Sequence, residues 1–481
     1  MSQKNIKKNY IYNLFYQILQ LLTPLITAPY LSRVLGADGI GTASYADSIV
    51  SYFLLFASLG IGIHGQREVS YVQDDLYKRS LVFWNTKLLS FCTSLIALVA
   101  YLMFAMTQEN RVIYLILALS LLSSAVDVTW FFQGMEEFVK IVLRNAILKL
   151  ANVGYIFLAI HSAEDLPLYV MSQALFGLLG NLSLWGYLPK YITRVSLTEL
   201  RPFKDLKTIL SLFLPTVAIQ VYTVLDKTMI GVITQDAFQN GYYEQALKIS
   251  KMTLTVAASI TTVMIPRIGY YFEKEDSSEV VRLICQSFRF LWFLGLPLCI
   301  GLVMVARNFV PWFFGVGYEE VADLLKILAF LIPIIGVSGI IGTQYWVPTK
   351  RQNLVTKTVI LGACVNFALN SFLIRAWQSA GAAVASVAAE CAVTFAQLYL
   401  VRKELPLQQI FHDSRNYVIS AGVMAVWLAI LHRILQPSFL NTMTMVATGA
   451  LVYFIVLLFL RDVFFVSNLK TVFRKIFRKK S

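Results

Sequence analysis

Two short polar stripes that carry lysine interrupt segments that are otherwise apolar. Each stripe has the spacing i, i+4, i+7, which places its three residues on one face of a helix. The residues are Asn145, Lys149 and Asn152 in the first stripe, and Glu244, Lys248 and Lys251 in the second. Because a lysine at the centre of a bilayer costs about 2.5–3.5 kcal/mol, we expect these lysines to line a polar cavity between the two halves of the chain.

The balance of charge inside the apolar segments indicates what such a cavity would bind. The basic residues there are Arg33, Lys87, Lys149, Lys227, Lys248, Lys251, Arg289 and Lys326. The acidic residues that could pair with them are fewer: Asp47, Asp127, Asp226, Glu244 and Glu390. The basic excess predicts a cavity for an anion such as phosphate or pyrophosphate, with Arg289 as a further candidate substrate-binding residue. The alternative, a network of internal salt bridges, stays open.

A second set of polar residues could hold a coupling cation. Asn366 and Asn370 are spaced i, i+4 on one helix face, and Asp226 lies in the seventh apolar segment. One carboxylate and two amide oxygens are hard ligands that suit Na⁺, and the carboxylate could instead carry H⁺. The alternative is that the asparagines form hydrogen bonds between helices.

Motifs of enzymes and of resident metals are missing from the sequence. The five cysteines and four histidines form no CxxC pair and no His/Cys cluster, so no disulfide framework, zinc site or other metal site is expected. There is no P-loop and no external cluster of catalytic acids. The sequence therefore predicts a protein that is not an enzyme and needs no cofactor, apart from a possible Na⁺ or H⁺ coupling ion.

The composition identifies the elements that must position these residues. Of 481 residues, 57% are apolar and only 14% are charged, with a mean hydropathy of +0.65. A soluble protein has about 25% charged residues, so the composition excludes a disordered chain and argues against an ordinary soluble enzyme. The composition predicts an all-α polytopic membrane protein.

Fourteen segments are long and apolar enough to span a bilayer. Their approximate bounds are 11–35, 41–65, 80–105, 112–133, 139–160, 167–189, 206–233, 241–266, 283–306, 321–346, 352–375, 379–401, 416–434 and 440–460. An even number places both termini on one side, and 29 Lys and Arg residues fall on that side against four on the other. Because cytoplasmic loops collect basic residues, both termini are expected in the cytoplasm of a plasma membrane. This distribution accounts for the net charge of +14 without nucleic acid.

A weak internal repeat predicts how the spans are grouped. Leu35–Ile49 and Ile233–Ile249 each combine a tight turn that contains Asp, a Gly, an aromatic residue and then an acid at a helix start. We therefore expect two six-helix lobes followed by two further helices. The expected divisions are an N-lobe at 1–190, a linker at 191–205, a C-lobe at 206–403, helices 13 and 14 at 404–462, and a basic tail at 463–481. Within the tail, 471–480 reads as a basic amphipathic stretch that could lie on an anionic leaflet.

The opening of the chain resembles a known family. The residues from Asn13 to Gly41, with Pro24, Pro29 and Arg33, are similar to the start of the bacterial polysaccharide repeat-unit flippases of the Wzx type. Trp130–Gly134, Gly241–Ile249 and Asn366–Asn370 add weaker matches. These flippases belong to the polysaccharide transporter family, in the same superfamily as the lipid II flippase and the MATE multidrug exporters.

The resemblance implies a fold and a function. The fold is the two-lobe MATE and lipid II flippase arrangement. The function is the flipping of undecaprenyl-diphosphate-linked oligosaccharides by alternating access, for capsule, exopolysaccharide or O-antigen synthesis. Arg33 matches a basic position of the first helix, and Asp226, Asn366 and Asn370 fall in helices that hold a cation site in some lipid II flippases. Membrane lipids, a polysaccharide polymerase and a chain-length regulator are the implied partners.

Two other readings of the sequence predict different chemistry. A MATE-like antiporter would need an acidic cavity for cationic drugs, which the basic excess argues against. A membrane polysaccharide polymerase would need a sizeable external loop with catalytic acids or arginine pairs, and the sequence has none.

Overall fold

The computed structural model describes residues 3–467. Side chains are described from Tyr16 onward, except at 212, 214–216, 218–219, 221–222 and 262. The amphipathic stretch predicted at 471–480 lies outside these residues. Every regular element in the described range is a helix, and the chain divides into two compact units, Met1–Gly241 and Tyr242–Ser481. The predicted division into six-helix lobes stays a prediction.

The first unit consists of eight helices and the start of a ninth. They are α1 (Gln3–Ser58), α2 (Ile61–Tyr71), α3 (Leu76–Ala105), α4 (Arg111–Val126), α5 (Thr129–Gly134), α6 (Phe138–Ala159), α7 (Leu166–Trp185), α8 (Leu206–Thr234) and α9 (Ala237–Ala257), and α9 crosses into the second unit. Asp75 caps α3 by accepting a hydrogen bond from the Lys78 amide, and this bond lowers the pKa of its carboxyl. Buried aromatic side chains around Tyr101 and Phe131 fill the core of the unit.

The second unit continues with eight α-helices and one π-helical segment. They are α10 (Thr261–Glu273), α11 (Ser277–Phe313), α12 (Glu319–Leu328), α13 (Leu331–Gly339), a π-helical segment (Ile340–Trp346), α14 (Gln352–Val401), α15 (Leu407–His412), α16 (Arg415–Ile434) and α17 (Phe439–Phe459). Helices α11, α16 and α17 pack around one apolar cluster that includes Phe288, Tyr417 and Tyr453. This unit therefore has its own core.

Ten helices in the described part of the chain are long and apolar enough to cross a membrane. Two of them are much longer than one span: Tyr16–Tyr71, which joins α1 and α2, has 56 residues, and Gln352–Val401, which is α14, has 50. The second covers two of the predicted spans, and the first covers the predicted span 41–65 and the span 11–35 from residue 16 onward. Helix α9 is not among the ten, and its three charged stripe residues lower its hydropathy. The all-helical membrane architecture is confirmed, whereas the count of fourteen spans stays a prediction.

Both of the long helices contain a break where the sequence predicts a boundary between spans. In α1 the break is at Gly36, with φ 69° and ψ 173°, a backbone conformation that is essentially limited to glycine. In α14 it is at Gln378, with φ 50° and ψ −128°. Three residues later, a side chain at Gly381 would overlap the carbonyl of Leu373, so the two halves of α14 approach closely.

Gly41 and Gly241, which correspond in the internal repeat, each pack against the backbone of the residue four positions before the other glycine. A side chain added at Gly41 would overlap the carbonyl oxygen of Ala237, and one added at Gly241 would overlap the carbonyl oxygen of Ala37. Each alanine lies four residues before the glycine of its own repeat. The contact is therefore reciprocal, and only residues without a side chain allow the backbones to approach so closely.

Candidate functional site

Helix α6 carries the first polar stripe, and contacts with α1 and α7 fix this helix on two sides. At its end, the Tyr30 hydroxyl of α1 donates to the Ile160 carbonyl at 2.5 Å, and the Tyr30 and Phe157 rings lie 4.7 Å apart. On the other side, Arg144 Nη1 donates to the Gly180 carbonyl of α7 at 2.8 Å. These contacts determine the rotation of α6 and thus the direction of the stripe.

Asn145 is turned towards its neighbour Arg144. Its Oδ1 accepts hydrogen bonds from Arg144 Nε at 2.9 Å and from Nη2 at 2.7 Å. This arrangement occupies the acceptor of the amide and leaves the Nδ2 donor for a ligand. A donor is the group that a phosphate oxygen or a sugar oxygen requires.

Lys149, at the middle of the stripe, is half-buried and forms no ion pair with any residue between 16 and 467 whose side chain is described. One turn further along, Asn152 Oδ1 is buried and accepts no hydrogen bond from the described part of the chain. A buried acceptor without a donor costs about 1–3 kcal/mol. The stripe thus combines a cation, a donor and an open acceptor, the set of groups that an anionic, hydroxylated ligand could use.

The second stripe, on α9, has a different electrostatic arrangement. Lys248 Nζ lies 3.6 Å from Glu244 Oε1, and the side chains are 31% and 19% exposed. Lys251, one turn further along, is exposed. A carboxylate therefore compensates the first cation of this stripe, as in the alternative of internal salt bridges.

The other two candidate cations lie outside the stripes. Arg33 is exposed on α1, one turn after Tyr30, and its Nη1 donates to the Pro29 carbonyl at 3.2 Å. Arg289, on α11, forms an ion pair with Asp413 in which Nε and Oδ2 are 2.7 Å apart. Arg289 therefore lies where α11 meets the segment that precedes α16, and its described ion pair is with Asp413 rather than with Glu244 of the stripe on α9.

The candidate cation-coupling residues are all buried. Asp226 lies on α8 in the first unit. Asn366 and Asn370 lie on α14 in the second unit, and Asn370 Nδ2 donates to Asn366 Oδ1 at 3.1 Å. The bond between the asparagines agrees with the i, i+4 spacing. Within residues 16–467, no group of three or more His, Cys, Asp or Glu side chains could hold a metal ion.

Reasoning from the sequence missed a basic pocket where α11 meets the start of α16 and the end of α17. It brings Arg289 together with Arg415 and Arg461, which the sequence gives only as isolated cations near the ends of predicted spans. No local spacing signals this grouping, because the three arginines are far apart along the chain.

Comparisons with known proteins agree with this architecture. The chain is 24% identical to the "Putative O-antigen transporter" of Escherichia coli K12 over 407 residues, covering 83% of this chain and 98% of that protein. It is 22% identical to the "Probable low-salt glycan biosynthesis flippase" of Haloferax volcanii over 394 residues, or 79% of each chain. Both of these relatives are named as transport proteins, not as enzymes.

Solved structures show the same fold. A lipid II flippase in an inward closed conformation matches with a TM-score of 0.74 at 17% identity, covering 95% of this chain and 99% of that one. An inward-facing MATE multidrug transporter matches with a TM-score of 0.56 at 12% identity, covering 80% and 97%. The chain is thus a multi-pass membrane protein with this fold. A sequence profile of the polysaccharide biosynthesis protein family matches residues 6–272, more than half of the chain, and the chain belongs to that family.

Proposed function

We propose that this protein flips undecaprenyl-diphosphate-linked oligosaccharide repeat units from the cytoplasmic leaflet to the outer leaflet of the bacterial cell membrane. The observation that carries the proposal is Lys149, a half-buried cation inside an apolar helix without an ion pair among the described side chains. A diphosphate cannot cross hydrocarbon without compensation of its charge. Lys149 supplies that compensation, while the polyprenyl tail stays in the lipid.

The asparagines beside Lys149 extend the proposal to the sugars. Asn145 Nδ2 can donate to a sugar oxygen or a phosphate oxygen, and Asn152 Oδ1 can accept from a sugar hydroxyl. Arg33, Glu244, Lys248, Lys251 and Arg289 remain candidate substrate-binding residues, ordered behind Lys149 because of the contacts described above. Both O-antigen and glycan names among the relatives support a lipid-linked oligosaccharide as the substrate class.

The sequence has no P-loop with which this chain could hydrolyse ATP. We therefore propose that the membrane potential supplies the driving force for flipping. A membrane potential, negative inside, favours outward movement of negative charge by about 2.3 kcal/mol per charge per 100 mV. Coupling to Na⁺ or H⁺ would add to this, and Asp226, Asn366 and Asn370 are the residues that we propose for it. The cycle we propose is alternating access, with both chain termini in the cytoplasm.

The flipped repeat unit would be used outside the cell membrane. We propose that a polysaccharide polymerase and a chain-length regulator act next, giving capsule, exopolysaccharide or O-antigen. The protein would thus stand between the cytoplasmic assembly of one repeat unit and its polymerisation.

Deletion of the gene tests the function directly. The deletion is made in a strain whose first sugar-transfer step is inducible, because stalled lipid-linked intermediates can be toxic. We expect a complete single repeat unit on undecaprenyl diphosphate to accumulate in the inner leaflet, as measured by mass spectrometry of extracted lipids and by its protection from an external glycosidase. The wild-type gene on a plasmid is the matched control and should remove the accumulated lipid.

Two outcomes would contradict the proposal. Repeat units that reach the outer leaflet but stay unpolymerised would make the protein a polymerase. Unchanged lipid-linked sugars, together with a new sensitivity to cationic drugs, would make it an antiporter.

A further inference from the structure

A pocket of about 350 Å³ lies in the second unit, where α11 meets the start of α16 and the end of α17. Its volume falls in the range of about 300–1,000 Å³ typical of small-ligand sites. The basic and acidic residues that line it are Arg289, His412, Asp413, Arg415, Arg461 and Asp462. All of the described residues that line it belong to this unit.

The two carboxylates of the pocket are already engaged by other groups. Asp413 forms the ion pair with Arg289. Asp462 is buried and accepts from the Tyr417 hydroxyl at 3.2 Å, from Asn416 Nδ2 at 3.3 Å and from the Phe465 amide at 2.9 Å.

Arg415 and Arg461 are the two arginines of the pocket that form no described ion pair. The donors to Asp462 are neutral and leave it charged, so three arginines against two carboxylates give the pocket a positive balance. Both are exposed, and neither forms an ion pair with another residue in the range that the structure describes. Two guanidinium groups that converge on one pocket suit a phosphate, whose oxygens they can bind in pairs.

Arg461 is held in a backbone conformation that an arginine rarely adopts. It follows α17 with φ 50°, where its amide donates to Leu458 and the amide of Asp462 donates to Leu457. This is the helix-ending motif in which glycine is normal. An arginine at this position is strained, and strained residues concentrate at binding sites.

The rim of the pocket indicates that the phosphate is part of a lipid. Ile419 and Val463 line the pocket and are 39% and 79% exposed, and Phe459, the last residue of α17, is 83% exposed. These apolar groups continue along the outer faces of α16 and α17, which are apolar enough to cross a membrane. A free phosphate would gain nothing from this rim, whereas acyl chains could pack along it.

We propose that this pocket binds the phosphate of an anionic phospholipid, with Arg415 and Arg461 on the headgroup and the acyl chains along α16 and α17. This ligand stabilises the second unit, and the two arginines that bind its phosphate are not among the candidate substrate-binding residues. The inference rests on the membrane architecture and not on flipping, so the two proposals can fail independently.

The test measures the thermal midpoint of the purified full chain in uncharged detergent at about 0.15 M salt, which screens exposed charges beyond about 8 Å. We expect phosphatidylglycerol to raise the midpoint by several degrees. Phosphatidylcholine at the same mole fraction, and inorganic phosphate at the same phosphate concentration, should leave it within one degree.

Variants assign that shift to the pocket. Arg461→Gly removes the charge and relieves the backbone strain, so its midpoint without lipid should be higher than that of the wild type while the response to phosphatidylglycerol falls by at least half. Arg415→Gln combined with Arg461→Gly should abolish the response. Arg433→Gln, which removes an exposed arginine at the opposite end of α16, is the matched control and should respond like the wild type.

Three results would overturn the inference. An equal shift with phosphatidylcholine would mean that any bilayer lipid suffices. A shift reproduced by inorganic phosphate would mean a free-anion site, and a full response in the double variant would assign the lipid to another surface. Because Arg461→Gly is expected to fold at least as well as the wild type, its loss of response cannot be attributed to misfolding.

Discussion

Helices α6 and α9 carry polar stripes with the same spacing but with different electrostatic surroundings. Lys149 on α6 has no ion pair in the part of the chain with described side chains, while Lys248 on α9 has Glu244 at 3.6 Å. A carboxylate one turn away compensates a lysine before any ligand arrives, and an anion must then compete with it. The difference teaches that spacing finds a polar helix face but does not reveal how much of its charge is available to a ligand.

The largest effect is expected at Lys149. Lys149→Ala should insert and accumulate normally but lower polysaccharide export by about ten- to a hundredfold, since a hydrogen bond to a charged group contributes about 1.5–3 kcal/mol. Export is measured in the deletion strain, with membrane levels from immunoblots. Lys149→Arg keeps the charge and serves as the control, with most of the export retained. Normal export by Lys149→Ala would remove this residue from the mechanism.

A smaller effect, about a few-fold, is expected at Lys248. Lys248→Gln removes the cation that lies 3.6 Å from Glu244, so part of the loss should come from weaker charge compensation of this carboxylate. Glu244→Gln combined with Lys248→Gln should therefore export more than Lys248→Gln alone. The same export assay compares the single and double variants. If the double variant exports less than either single one, both charges contact the substrate and the contrast with α6 disappears.

The smallest effect on export is expected at Asn152. Asn152→Leu removes a buried acceptor that has no donor among the described residues, so the thermal midpoint should rise by a degree or two. Export should fall about twofold, because a sugar hydroxyl loses its acceptor. Asn145→Leu is the contrasting variant and should lower the midpoint, since it breaks the bonds to Arg144. A lower midpoint for Asn152→Leu would mean that its oxygen already has a partner.

The sequence predicts the fold class well because its signals are local. Hydropathy predicts a boundary between the first two spans at 35–41, and the structure breaks at Gly36 within that interval. It predicts the break of α14 equally well, although Gln378 gives no glycine signal. The number of spans is less accessible, since a helix such as α9 combines spanning length with charges that lower its hydropathy.

The sequence predicts only those contacts of the candidate site that join residues within two helical turns of each other. The stripes depend on i, i+4 and i+7 spacing, and the ion pair of Lys248 with Glu244 and the bond of Asn370 with Asn366 both follow that spacing. The pairing of Arg289 with Asp413 joins residues that are 124 positions apart, so no pattern in the sequence could reveal it. The basic pocket was missed for the same reason.

The reciprocal contact of Gly41 and Gly241 has a consequence for how the chain is made. The ribosome synthesises the first eight helices before Ala237 and Gly241. The backbone contact of Gly41 can therefore form only after the start of α9 has been synthesised. The same contact places the start of α9 with the first unit, which ends at Gly241, inside a helix. A nascent chain released before residue 237 would expose the uncovered backbone at Ala37 and Gly41, a mark by which membrane proteases could distinguish an unfinished protein from a complete one.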